Sequence, residues 1–76
     1  VTPRTVKDLH GMDQNEAEQL IHNIVGEVRN SKTVTELELI TGHGVLRQLA
    51  TVILEGYQLK PHIKWSNTGV VVCTIE

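Results

Sequence analysis

Two short segments of this 76-residue chain carry side chains suited to proton transfer and phosphate binding: Asp8-Leu9-His10-Gly11 and Thr41-Gly42-His43-Gly44. Asp8 and His10 are two positions apart, so on a strand they share a face. A carboxylate there can orient or charge-stabilise an imidazole, the side chain that exchanges protons near neutral pH. His43 sits between two glycines, which permit positive φ and close approach of the backbone to a ligand. A helix starting just after that turn would offer free N–H groups and its dipole to a phosphate, and Arg47 in its first turn would add a cation. Phosphodiester cleavage needs a base, an acid and stabilisation of the phosphate charge. Asp8, His10 and His43 are the candidate catalytic residues. Thr41, Gly42, Gly44 and Arg47, with Arg4, Lys7, Lys60 and Lys64, are the candidate phosphate contacts. Singly, each has a structural explanation: Asp8 can bond backbone amides at a turn, His10 can cap, and the glycines can simply turn the chain.

The elements around these segments follow from periodicity. Arg4–His10 is a strand-like stretch stopped by Gly11, after an arm of Val1-Thr2-Pro3. Asp13 is an N-cap and Glu16 completes a capping-box pattern. Ala17, Leu20, Ile21, Ile24, Val25 and Val28 then form one helical stripe, fading at Asn30-Ser31. Thr33–Ile40 is a strand in which Glu36 and Glu38 alternate with Leu37 and Leu39, leaving one face wet. Val45–Glu55 is a second helix, with Gly56 as its C′ residue. Pro61–Trp65 is a short strand whose proline favours an edge. Ser66–Gly69 is a turn and Val70–Ile75 the last, most apolar strand.

The order β-α-β-α-β-β predicts an α/β two-layer sandwich. Right-handed crossovers make the first strands parallel, and the short turn makes the last two an antiparallel hairpin. Burying the apolar final strand gives the sheet order 1-2-4-3 with both helices on one face. Both polar turns then meet at the carboxyl edge of the sheet, where open α/β sheets bind ligands. The opposite sheet face is a possible contact surface.

Composition narrows the function classes. Seventy-six residues make one domain, and with only Tyr57 and Trp65 as aromatics the core must be aliphatic. Seven basic and nine acidic residues give a net charge of −2, so a polyanion site must be local. The single Cys73 excludes an internal disulfide and a Cys-rich zinc site. Its apolar neighbours predict a buried structural thiol, and an intracellular, reducing setting is expected. No apolar run has membrane-spanning length and no signal-peptide pattern is present. The start at Val1 reads as a domain excised from a longer protein. His22, on the first helix between apolar positions, is expected to be a surface or boundary residue, and His62 to begin an edge strand. Asp8, His10 and His43 are metal-compatible, but no HExxH or Cys/His spacing indicates a tightly bound metal. A weakly held Mg or Mn ion at Asp8 is the form a metal would take.

These residues resemble the small MutS-related (Smr) domain family. Asp8-Leu9-His10-Gly11-Met12, followed by a helix containing Glu16-Ala17, is similar to its first motif, Leu-Asp-x-His-Gly. Thr41-Gly42-His43-Gly44 is similar to its second, a His- or Thr-Gly-x-Gly turn. Val45-Leu46-Arg47 resembles the opening of the family's second helix, and Gly69-Val70-Val71-Val72 its closing strand. Lys7 stands where the family has an apolar residue. An ungapped alignment through Val45-Leu46-Arg47 would instead place Gly42-His43-Gly44 on the family's later Gly-Thr-Gly stretch. The resemblance spans nearly the whole of residues 1–76. It implies a fold like the C-terminal domain of translation initiation factor three, DNA or RNA binding, and nicking endonuclease activity in several members. Asp8, His10, Thr41, Gly42 and Gly44 would be the functional positions, with His43 at the variable one.

Two function classes follow: a nicking endonuclease acting on DNA or RNA, and a non-catalytic module that docks nucleic acid, a partner protein or other domains of its parent. A third, pure protein interaction through the open sheet face, would show no salt-dependent nucleic-acid binding.

Overall fold

The computed structural model describes residues 2–76; the predicted arm begins at Val1, outside them. The elements are β1 (Arg4–Asp8), α1 (Gln14–Ser31), β2 (Thr35–Ile40), α2 (Val45–Gly56), β3 (His62–Ile63) and β4 (Val70–Ile75). The sheet order is β1-β2-β4-β3, with β1 and β2 parallel and β4 antiparallel to both its neighbours. This is the predicted topology. It follows from burying the most apolar strand between two others.

Local chemistry explains the ends of the elements. Asp13 accepts from the Glu16 amide at 2.8 Å and Glu16 returns the bond to the Asp13 amide at 3.1 Å, so the capping box forms. Lys32 ends α1 in the left-handed region at φ 57°. The second helix ends differently from expectation. Gly56 remains helical, and Gln58 takes the left-handed conformation at φ 63°. The amides of Gln58 and Leu59 bond the carbonyls of Glu55 and Leu54, so backbone bonding sets this terminus and glycine is not required. The strand expected over residues 61–65 shrinks to His62–Ile63, because β3 is an edge with one partner.

Side chains alternate across the sheet. Leu37, Leu39, Val71, Cys73 and Ile75 join Ala17, Ile21, Ile24 and Val25 of α1 and Ala50 and Leu54 of α2 in one buried cluster. Both helices therefore cover the same sheet face. The other face carries Arg4, Val6, Asp8, Glu36, Glu38 and Ile40. Arg29 stacks over Tyr57, 5.1 Å from its centroid, and donates to its carbonyl at 3.1 Å. His22, exposed as expected, shares a hydrogen bond with the Tyr57 hydroxyl, which ties α1 to the end of α2. Among the described residues no helix is long and apolar enough to cross a membrane.

Cys73 is fully buried, and desolvation pushes its thiol pKa up. Both effects suppress the reactive thiolate. A maleimide reagent is expected to leave the native protein unlabelled over minutes at neutral pH and to label it at once in denaturant. Rapid labelling of the folded state would contradict this packing.

Candidate functional site

Parallel pairing of β1 with β2 aligns Asp8 with Ile40, and the Leu9 amide bonds the Ile40 carbonyl at 2.9 Å. The chain segments leaving the two strands, which carry His10 and Thr41, thus start side by side at one end of the sheet. A third segment, which the sequence did not single out, joins them there. Because β4 runs antiparallel to β2 with Ile40 opposite Val70, the β3–β4 connection arrives at the same end. The Gly69 carbonyl accepts from the amides of Thr41 (2.9 Å) and Gly42 (3.0 Å). The buried Thr41 hydroxyl donates to the carbonyls of Gly42 (3.0 Å) and Gly69 (3.3 Å).

Within the first segment, Asp8 Oδ1 accepts from the backbone amide of His10 at 2.8 Å. The carboxylate shapes the turn, and Gly11 completes it at φ 85°. His10 is exposed, and its ring has no hydrogen-bond partner among the described residues. The second histidine is held: His43 Nε2 lies 2.7 Å from Thr68 Oγ1. Thr68 belongs to the β3–β4 connection, so His43 is tied to the β4 side of β2 and away from β1. The two imidazoles belong to different parts of the loop cluster.

Gly42 adopts φ 72°, a conformation that favours glycine. Gly44 caps α2 without a side-chain hydrogen bond; the Arg47 amide bonds the Gly44 carbonyl at 3.2 Å, and the Val45 and Leu46 amides are left open to an anion. Arg47 reaches back to donate to the Thr68 carbonyl at 3.0 Å. His43, Gly44 and Arg47 border an open groove that runs along α2 to Ile63. Trp65, 92% exposed, stands on the β3–β4 connection beside this cluster. Its isolation in the sequence disguised it; hairpin geometry places it at the loop end.

The other candidate cations are dispersed. Arg4 and Lys64 lie on the open sheet face and approach Glu38 at 3.9 and 3.4 Å, so that carboxylate already draws on both. Lys7 pairs with Leu39, on the helix-side face of β1, and is exposed. Lys60 lines a depression with Arg29, Tyr57, Thr74 and Glu76 at the opposite end of the sheet. Of the cationic candidates, Arg47 is the one whose side chain bonds the loop cluster. No three His, Cys, Asp or Glu side chains converge among the described residues.

The close packing of Gly69 gives a local test. A Cβ there would meet Gly42 Cα at 3.3 Å and His43 Cε1 at 3.4 Å. Gly42 cannot retreat without loosening its bond to the Gly69 carbonyl. Gly69→Ala is expected to cost about 1–2 kcal/mol through overpacking. It should also shift the Thr41, Gly42 and His43 amide resonances more than those of α1. Unchanged stability and spectra would show that the three segments are not coupled.

In comparisons with family models, characterised proteins and solved structures, the chain matches none.

Proposed function

We propose that this is a nucleic-acid-binding domain of the Smr type that nicks phosphodiester bonds at the loop end of its sheet. The observation that carries the proposal is the convergence of three connections there. They combine the start of α2, which no side chain caps, with Arg47, His43 and, at the β1 side, an exposed His10. Open helix amides and a guanidinium suit a phosphate. The exposed Trp65 supplies an aromatic face on which an unpaired base can stack. A DNA or RNA strand is the ligand that brings both groups, and an intracellular setting suits both that ligand and a free Cys73.

His10 is the proposed proton-transfer residue, positioned by the turn that Asp8 holds. His43, fixed by Thr68, is the second acid–base group or a phosphate donor. On RNA the 2′-hydroxyl supplies the nucleophile and no metal is required. On DNA water would be the nucleophile, and a Mg or Mn ion, when bound, would supply activation of that water and charge stabilisation. Asp8 is the residue that would hold such an ion, through a single carboxylate that already accepts from the His10 amide.

The test uses structured RNA and supercoiled plasmid, with and without Mg or Mn. Binding is followed by the fluorescence of Trp65, the only tryptophan. Quenching that weakens as salt rises, together with nicked product, is the expected result. Absence of salt-dependent binding would overturn the proposal. A second reading, docking without cleavage, is favoured by one specific feature: the Asp8 carboxylate bonds the His10 amide and not its ring. Salt-dependent binding with no product on any substrate would establish it.

A further inference from the structure

Strand β1 is a sheet edge, and its outward side is complementary to itself. The odd-numbered residues point their backbone groups at β2: the Pro3 carbonyl accepts from Glu36 and the Leu9 amide donates to Ile40. By alternation, Arg4, Val6 and Asp8 turn their N–H and C=O groups outward, and no backbone partner takes these groups among the described residues. The same three side chains stand on the open sheet face, with Val6 49% exposed. The helical layer leaves this edge largely open: on the helix-side face of β1 Lys7 is exposed and Thr5 is half-buried, and α1 contacts β4 more closely than β1.

We propose that β1 pairs with β1 of a second copy, antiparallel and centred on Val6, to form a two-fold dimer with a continuous sheet. In that register Val6 meets its own copy, and Arg4 of each chain faces Asp8 of the other. Every outward-pointing residue then meets an outward-pointing residue, as an antiparallel hydrogen-bonded pair requires. Opposite charges face each other at both ends, and an exposed apolar side chain meets its equal at the centre. Isologous pairing of this kind closes on itself. No other register of this strand opposes Arg4 to Asp8 twice. The edge has no proline or bulge from Arg4 to Asp8 to discourage pairing. The two loop clusters would lie at opposite ends of the joined sheet, with their His10 residues about 27 Å apart along the strand direction.

The contact is small, so the dimer forms at high protein concentration. Amide hydrogen exchange and sedimentation velocity are measured on the full chain over a concentration series. The expected result is a monomer–dimer equilibrium in which protection of the Arg4, Val6 and Asp8 amides rises with concentration. The Thr5 and Lys7 amides should be protected throughout. Val6→Lys sets like charges across the axis and Val6→Pro removes a central donor that β2 does not use; both should remain folded by circular dichroism and become monomeric. Three results would overturn the proposal. One is a monomer at every concentration. Another is a dimer whose Val6 amide gains no protection. The third is a dimer that persists in both folded variants, which would place the interface elsewhere.

Discussion

His10→Ala is expected to reduce nicking by about 10²–10⁴-fold, the range supplied by a positioned proton-transfer group, while the protein stays folded. His10 is exposed and its ring bonds no other described residue, so its removal costs little stability. Its backbone amide, which Asp8 holds, survives the substitution. Binding of uncleaved strand should therefore change little, and the loss should appear in the rate. Asp8→Asn keeps an acceptor oxygen for the same amide and is expected to act more mildly. His43→Ala removes the tie to Thr68 and should weaken binding as well as rate. The check is a single-turnover nicking assay beside Trp65 quenching and circular dichroism for each variant. Full activity in folded His10→Ala would remove it from the chemistry. An equal loss in rate and binding would make it a docking residue.

Leu39→Ala is expected to destabilise the fold by about 2–5 kcal/mol. Leu39 is fully buried on the central strand β2, between Lys7 of β1 and Val71 of β4, under the helical layer. A chain of this size has about 4–11 kcal/mol of stability in total, so the substitution removes a large part of it. In a domain this small each kcal/mol lowers the melting temperature by about 4–8 °C, so the transition should fall by about 8–40 °C. Val52→Ala, at a residue 58% exposed on α2, is the matched control and should change stability by no more than about 0.5 kcal/mol. Chemical denaturation of both variants measures the difference. Equal, small effects would mean that the aliphatic cluster is not what holds the sheet and helices together.

The sequence by itself determined the element order, the faces and the topology. Period-two alternation through Glu36–Leu39 named the wet and dry faces of β2. The stripe from Ala17 to Val28, with the Asp13–Glu16 box, located α1. The unbroken apolar run at Val70–Cys73 made β4 interior. These are local patterns, and each element carries its own. That the first two polar segments lie at one sheet end was legible too, because strand direction alone requires it.

The tertiary structure decided which groups touch. Asp8 and His10 share a neighbourhood, but the carboxylate bonds an amide, because a short acidic side chain before a turn reaches backbone N–H more readily than a ring two residues away. His43 bonds Thr68, and Gly69 braces Thr41 and Gly42, because antiparallel pairing delivers the β3–β4 connection to the same sheet end from far along the chain. Lys60 and Arg47 look equivalent as cations in the sequence. Packing sends one to the far end of the sheet and the other to the loop cluster. Lys64 and Arg4 gather around Glu38, since residues distant in sequence become neighbours across paired strands. Local periodicity reports which face a residue occupies; only the closed sheet reports which residues meet there.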